Sequence, residues 1–244
     1  MKIRFLGSGD AFGSGGRFNT CFLVEADSGS FLIDCGASAM IAMRRFAVDP
    51  NAISTVFLSH LHGDHFGGLP FLILDAQPYS RRTEPLTIAG PPGTEARLAQ
   101  AMEVFFPGST DARRKFETRV VELTAGVPAE VDGVTVTPFE VDHACGAPPF
   151  ALRLEVAGKV VAYSGDTEWT ENLIEAGRGA DLLIAEALFF ERRIRYHLDY
   201  ASLAEHLGEI GAKRVILTHM ALDMLARRHE VPLDCARDGM VVDI

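Results

Sequence analysis

Three histidines and one aspartate are crowded into a short loop, SHLHGDHFGG, which spans residues 59–68. The four side chains are His60, His62, Asp64 and His65. Imidazole nitrogens and carboxylates suit Zn²⁺, Mn²⁺ or Fe. No cysteine lies nearby, which argues against a structural site built from thiolates. We therefore predict a metal site rather than a merely solvated polar loop.

Three further candidate ligands each follow a run of residues typical of a β-strand. They are His143, Asp166 and His219, which close the runs 136–142, 160–165 and 215–218. Each one alone is a weak signal, because a single histidine after a strand is more often structural. Together with the histidine loop they supply enough ligands for two metal ions, and Asp166 could bridge them.

This set of residues resembles that of the metallo-β-lactamase superfamily of binuclear hydrolases, whose HxHxDH motif is similar to residues 60–65. The resemblance runs from FLGSGDAFG to CARDGMVVDI, nearly the whole chain. It implies one metal held by His60, His62 and His143, a second held by Asp64, His65 and His219, and Asp166 as the bridge. Asp34, in LIDCG, matches an early aspartate of the family and is expected to support a ligand histidine. The alternative for Asp34 is a simple turn residue after a strand.

The segments LGSGDAFGSGGRFNT, YSGDT and AKRVILTHM are similar to the ribonuclease Z and small-molecule phosphodiesterase branch. Two features argue against ribonuclease Z itself. Its HEAT segment appears here as Ala185-Glu186-Ala187-Leu188, without the histidine. Only 22 residues separate His143 from Asp166, where ribonuclease Z inserts its tRNA-gripping arm.

The resemblance implies a metal-dependent hydrolase, most specifically a phosphodiesterase acting on a small or cyclic phosphodiester. Two cations, which we expect to be Zn²⁺ with Mn²⁺ or Fe as alternatives, would lower the pKa of a bridging water so that hydroxide is available near neutral pH. Asp64 is expected to ligate a metal and to orient that nucleophile. His197 is the candidate proton donor to the leaving alkoxide, since it matches a histidine before a helix in related phosphodiesterases. The alternative is a loop histidine that packs against this helix.

Three other functions stay open. They are tRNA 3′ processing, hydrolysis of a lactone or thioester, and metal-dependent ligand binding without turnover. Arg192, Arg193 and Arg195 stand just before His197 and could hold a substrate phosphate or carboxylate, although a solvated charged face is the commoner outcome for such a cluster.

The secondary-structure pattern predicts βαβ-type units, then antiparallel strands, then βαβ-type units again. Strands are predicted at 2–6, 30–34, 55–59, 119–123, 131–141, 151–156, 160–164, 181–185, 214–218 and 240–244. Helices are predicted at 38–48, 92–106, 170–176 and 199–210. Two sheets facing each other with helices outside, a four-layer αββα sandwich in a single domain covering residues 1–244, fit this order. A two-domain chain divided near residue 125 is the alternative.

Composition limits the partners. The chain of 244 residues carries a formal net charge of −10 and has no long basic run, so extensive wrapping of nucleic acid is not expected. The four cysteines form no CxxC pair, which is typical of free thiols in a reducing compartment. The N-terminus resembles a strand and a turn rather than a signal peptide. No apolar run is long enough to predict a membrane span. We expect a cytoplasmic protein with a small-molecule phosphodiester substrate. Nucleic acid is a less favoured partner, and analogy with relatives leaves a homodimer open.

Overall fold

The computed structural model describes residues 1–27 and 29–244. The strands in this part of the chain are β1 (Lys2–Gly7), β2 (Cys21–Ala26), β3 (Gly29–Ile33), β4 (Ile53–Phe57), β5 (Leu86–Gly90), β6 (Thr118–Glu122), β7 (Ala129–Val131), β8 (Val134–Glu140), β9 (Phe150–Val156), β10 (Lys159–Tyr163), β11 (Leu182–Glu186), β12 (Val215–Thr218), β13 (Asp234–Cys235) and β14 (Val241–Asp243). The helices are α1 (Ala39–Arg45), α2 (Gly63–Phe66), α3 (Leu69–Asp75), α4 (Thr94–Phe105), α5 (Asn172–Gly177), α6 (Tyr200–Ile210) and α7 (Leu222–Arg227). None of these helices is long and apolar enough to cross a membrane.

The strands form two sheets of seven. The first has the order β14-β1-β2-β3-β4-β5-β6, and the second has the order β13-β12-β11-β10-β9-β8-β7. In the first sheet β3, β4, β5 and β6 are parallel, and in the second β10, β11, β12 and β13 are parallel. The remaining neighbours are antiparallel. Each sheet therefore brings the carboxyl ends of several strands to one edge, where ligands are commonly bound.

The two sheets pack face to face through a buried apolar layer that includes Phe5 and Phe22 from one sheet and Phe150 and Tyr163 from the other. The rings of Phe22 and Tyr163 meet edge to face across this layer, with centroids 5.3 Å apart. Helices α1, α3 and α4 cover the outer face of the first sheet, and α5, α6 and α7 cover that of the second. The predicted αββα sandwich is confirmed.

Several local predictions need correction. The strand predicted at 131–141 is two strands, β7 and β8, because Asp132 and Gly133 adopt positive φ angles and close a tight hairpin turn. The strand predicted at 160–164 begins one residue earlier, at Lys159, so only Ala157 and Gly158 form the turn between β9 and β10. The other predicted helices and strands appear with ends shifted by a few residues.

Strands β2, β5 and β13 and helices α2, α3 and α7 were not predicted. All five residues of β5 are buried, so its sequence LTIAG lacks the alternation that marks a half-exposed strand. The presence of β2 makes β1, β2 and β3 an antiparallel meander, so the prediction of βαβ-type units at the start of the chain was wrong for these strands.

Candidate metal centre

The predicted ligands meet at one edge of the sandwich. The histidine loop follows β4 and contains the short helix α2, while His143, Asp166 and His219 follow β8, β10 and β12. Four of these seven side chains belong to residues that are almost fully buried: His60, His65, Asp166 and His219. Buried imidazole and carboxylate groups at strand ends indicate a built site rather than a solvated loop.

The side chains fall into two sets whose candidate ligand atoms lie within 4.8 Å of one another. One set is His60, His62 and His143, and the other is Asp64, His65, Asp166 and His219. These are the groups that the sequence resemblance implies, and both can hold a metal ion. Oδ2 of Asp166 lies 3.3 Å from Nε2 of His65 and 3.2 Å from Nε2 of His219.

Asp34 fixes the ring orientation of two of the histidines. Its Oδ2 accepts a hydrogen bond from Nδ1 of His65 at 2.7 Å and from the Ser59 hydroxyl at 2.8 Å. The same hydroxyl lies 3.0 Å from Nδ1 of His60. With both Nδ1 atoms engaged, Nε2 is the ring nitrogen of His60 and of His65 that remains available to the site.

A backbone carbonyl has the same effect on His143. The Tyr196 carbonyl accepts a hydrogen bond from Nδ1 of His143 at 2.8 Å, so Nε2 of His143 carries a lone pair. That Nε2 lies 3.0 Å from Nδ1 of His62. Two imidazole nitrogens that approach each other so closely need a shared proton or a shared cation between them.

Buried polar atoms that lack a hydrogen-bond partner support the binding of a cation at this site. Among the described residues, Nε2 of His60, Nε2 of His65 and Oδ1 of Asp166 are buried and have no hydrogen-bond partner. A buried polar atom without a partner is costly unless it binds something else. The donor set of imidazoles and carboxylates therefore fits divalent metal ions such as Zn²⁺.

The electrostatics differ between the two sets. Burial lowers the pKa of His60, His62 and His143, and neighbouring histidines add to this effect, so these imidazoles are neutral and in the form that binds metals. Burial also opposes a charged His65, but the carboxylates of Asp166, Asp64 and Asp34 outweigh it and raise the pKa of His65 well above its ordinary value. The second set is thus a carboxylate-rich pocket that favours a cation.

His197 lies beside both sets and is paired with a buried glutamate. Its Nδ1 lies 2.5 Å from Oε1 of Glu186 and 4.0 Å from Oδ2 of Asp166. Glu186 is fully buried, and its other oxygen accepts hydrogen bonds from the backbone amides of Thr167 and Leu198. Burial opposes a charged His197, but Glu186 and Asp166 outweigh it and raise its pKa.

Glu186 is the important residue that the sequence reasoning did not select. It stands in the segment Ala185-Glu186-Ala187-Leu188, which differs from HEAT in lacking the histidine but keeps a glutamate. The usable signal was a carboxylate at the end of an otherwise apolar strand, β11, whose five residues are all buried. The structure also adds Asp166, Glu186, His197 and His219 as a third group with metal-ligand spacing. Asp166 and His219 already belong to the second set, whereas Glu186 and His197 pair with each other.

Two residues of the site have strained backbones. Asp34 has a φ of 57° and His219 a φ of 58°, both in the left-handed region that non-glycine residues rarely adopt. The backbone amide of His219 donates to the Ser8 carbonyl at 3.2 Å, and the Ser8 amide and hydroxyl in turn donate to Asp238. These contacts hold the strained residue in place, as is common at functional sites.

Comparison with known proteins places this geometry in a family. A family model described as "Beta-lactamase superfamily domain" matches residues 30–220. The chain belongs to the beta-lactamase superfamily. It is 28% identical to the protein named Ribonuclease Z of Methanosarcina acetivorans, over 91% of this chain and 88% of the relative. That alignment is 275 positions long, more than the 244 residues of this chain, so the relative carries insertions within it.

Solved structures of the superfamily share the fold over the whole chain. The crystal structure of the short form of human tRNase Z superposes with a TM-score of 0.80 at 25% identity, covering all of this chain and 99% of that one. A structure described as a new diphosphatase from the PhnP family superposes with a TM-score of 0.79 at 19% identity, covering all of this chain and 97% of that one. The protein is a hydrolase, because it belongs to this superfamily and its relatives are named for hydrolytic activities. Its two sets of histidine and aspartate side chains fit two divalent metals.

Proposed function

We propose that the protein is a binuclear-metal phosphodiesterase that hydrolyses a small or cyclic phosphodiester. The observation that carries the proposal is the pair formed by His197 and Glu186 beside both metal-ligand sets. Hydrolysis of a phosphodiester releases an alkoxide, which needs a proton, and an imidazolium next to the metals can supply it. The likeness to proteins named ribonuclease Z and diphosphatase supports a phosphorus ester as substrate rather than a lactone or thioester.

The metal ligands are assigned from the two sets. His60, His62 and His143 would hold one ion, and Asp64, His65 and His219 the other, with Asp166 between them. We favour Zn²⁺, with Mn²⁺ or Fe as alternatives. When bound, two such ions supply an activated water and stabilise the charge that grows on the phosphoryl oxygens.

The protein side chains act on protons and on orientation. The free oxygen of Asp64, whose side chain is partly exposed to the pocket, accepts a hydrogen bond from the attacking water and aims it at phosphorus. His197 donates its proton to the departing oxygen. Glu186 positions the ring of His197 through Nδ1 and favours its charged form, so that Nε2 carries the proton to be delivered.

The substrate is proposed to be small because only 22 residues lie between His143 and Asp166. Most of them form β9, β10 and the two-residue turn that joins these strands. The net charge of −10 also disfavours a large nucleic-acid footprint.

A second candidate is a ribonuclease Z-type tRNA 3′ endonuclease. The names of the curated relatives favour it, with 28% identity across most of both chains. It would require a grip on tRNA that another chain or a second copy supplies. The four cysteines are free, which is typical of a reducing compartment, so the cytoplasm stays part of either proposal.

A panel of substrates tests the proposal. The Zn²⁺-loaded protein is assayed with bis(p-nitrophenyl) phosphate, cyclic nucleotides, an aliphatic lactone, a thioester and a precursor tRNA at low salt. We expect phosphodiester turnover, with little or no turnover of the lactone and thioester. Lactone or thioester turnover without phosphodiester cleavage contradicts the proposal. Efficient cleavage of precursor tRNA alone favours the second candidate.

A further inference from the structure

The three arginines next to His197 lie in a tight turn. We call residues 189–197 (FFERRIRYH) the arginine turn. Phe189 forms a bridge to Asp199, and Ile194 forms one to His197, so that Arg195 and Tyr196 stand at the centre of the turn. Tyr196 has a φ of 70°, a left-handed conformation that lets the chain reverse within these residues.

The arginine turn is fastened to the candidate metal centre on its inner side. The Tyr196 carbonyl accepts the hydrogen bond from His143, and the ring of Tyr196 lies 6.4 Å from the ring of His143. The next residue, His197, is held by Glu186. Arg195 is therefore one residue away from a carbonyl that orients a metal ligand and two away from the proposed proton donor, at a position set by both contacts.

The three guanidinium groups are not equivalent. Arg193 is attracted to two carboxylates, with nitrogen–oxygen distances of 3.9 Å to Asp199 and 3.8 Å to Glu205. Arg192 instead lies over the ring of Phe189 at 4.7 Å, and Arg195 over the ring of Tyr196 at 4.6 Å. Within the described part of the chain, neither Arg192 nor Arg195 has a carboxylate oxygen within 4.0 Å. Both are exposed.

Stacking of this kind holds a guanidinium in place while leaving its N–H donors free. The Glu168 carboxylate attracts the Arg195 guanidinium only at longer range, and the Glu168 side chain is hydrogen-bonded to that of Asp142. Arg195 is held beside the candidate metal centre, Arg192 lies three residues before it in the same turn, and neither has a close carboxylate partner, so both are suited to an anionic ligand. Phosphate is the group that the planar fork of arginine matches best, through paired hydrogen bonds.

We propose that Arg192 and Arg195 bind a second phosphate of the substrate, one that is not cleaved. This inference rests on the proposed phosphodiesterase function and specifies its substrate class as a phosphodiester that carries a further phosphate. The second phosphate is either a terminal phosphate on a small molecule or the neighbouring phosphodiester of a short strand. Both offer the same oxygens to the two arginines.

Matched substrates test the inference. Thymidine 5′-(p-nitrophenyl phosphate) has one phosphate, and its 3′-phosphorylated form has two with the same leaving group. A p-nitrophenyl ester of dithymidylate has its second phosphate within a strand. For the unaltered protein we expect KM to be about ten-fold lower for at least one of the two-phosphate substrates, with similar kcat, because a charge-assisted hydrogen bond contributes on this scale. Whichever two-phosphate substrate shows the advantage identifies the source of the second phosphate.

Variants of the arginine turn supply the control. Arg192→Ala and Arg195→Ala are expected to raise KM for the preferred two-phosphate substrate to that of the one-phosphate substrate, while leaving KM for the latter unchanged. Arg193→Ala, in the same turn but paired with carboxylates, is the matched control and is expected to change neither. Calorimetric binding of thymidine 3′,5′-bisphosphate, compared with thymidine 5′-phosphate, gives a second readout, and the difference between them should shrink at high salt.

Two results separate the inference from the function on which it rests. If the protein cleaves none of the three esters, the phosphodiesterase proposal fails. If it cleaves them all but shows no KM advantage for a second phosphate, or an advantage that survives both Arg192→Ala and Arg195→Ala, the phosphodiesterase proposal stands and the arginine subsite is contradicted.

Discussion

Nδ1 of His197 lies 2.5 Å from Oε1 of Glu186, a carboxylate that is fully buried at the end of β11. This contact joins a pocket histidine to a group that cannot reach solvent, so it fixes the orientation of the imidazole and raises its pKa. A histidine that only packed against α6 would need no buried carboxylate. The pair therefore favours the role of proton donor over that of a structural loop residue.

The dependence on the leaving group tests this role. His197→Ala should lower kcat for a methyl or nucleoside leaving group by roughly 10²–10⁴-fold, the usual contribution of general acid catalysis. The same variant should lose far less activity with p-nitrophenolate, which departs without a proton. Steady-state assays with both substrates measure the two losses. An equal loss for the two leaving groups would show that His197 does not donate the proton.

The pH profile follows from the same pair. Burial opposes a charged His197, yet Glu186 and Asp166 raise the pKa of His197 above its ordinary value. Since the donor must be protonated, activity on an alkyl ester should be present below this pKa and decline as the pH rises through it. Glu186→Gln removes one of the raising charges and should move this decline to lower pH, while His197→Ala should abolish it. A decline that Glu186→Gln leaves in place would argue against the pairing.

The contact between Asp34 and His65 should govern metal affinity. Asp34→Asn removes the charge that accepts the Nδ1 proton of His65 and the Ser59 hydroxyl. Loss of such a supporting partner typically costs about 10–100-fold in metal affinity. Competition with a chromophoric chelator measures it, and Asp75→Asn, at the end of α3 and in neither ligand set, serves as control. Unchanged metal affinity in Asp34→Asn would place Asp34 among ordinary turn residues.

Close packing of the histidine loop provides a further test. A Cβ on Gly36 would lie 2.2 Å from the Asp64 carbonyl oxygen, which is too close for either backbone to remain in place. Gly36→Ala should therefore lower the melting temperature and weaken metal binding together. Gly208→Ala, on α6 with open space around it, should instead stabilise the fold slightly, because alanine is the better helix former. Calorimetric melting of both variants, with and without Zn²⁺, checks the contrast. Normal metal binding by Gly36→Ala would show that the loop can shift without harm.

The layered fold could be predicted from the sequence because its strands and helices leave clear periodic patterns. Four of the seven predicted ligands are local neighbours, and the structure brings all seven into two clusters, but their role as metal ligands stays a prediction. The sequence did not predict β5, whose burial on both faces removes the alternation. It did not predict the contact between Glu186 and His197 either. These residues are eleven positions apart, and only the pairing of β11 with its neighbours and the closure of the arginine turn bring them together.

The different roles of the three arginines were equally beyond the sequence. As a cluster they predicted either an anion site or a solvated face. Only the structure separates Arg193, which lies near Asp199 and Glu205, from Arg192 and Arg195, which lie on aromatic rings. Such distinctions depend on side-chain packing across the turn, which has no counterpart in residue spacing.

The most direct measurement for the central claim is a metal titration of the chelator-stripped protein. Zn²⁺ is added in known equivalents while hydrolysis of bis(p-nitrophenyl) phosphate and the heat of binding are both recorded. The two ligand sets predict that binding saturates at two equivalents and that phosphodiester hydrolysis reaches its maximum only there. His206, on α6, stacks on Trp169 and belongs to neither set, so His206→Ala should behave like the unaltered protein. Saturation at one equivalent, or hydrolysis that persists in the stripped protein, would contradict a binuclear-metal phosphodiesterase.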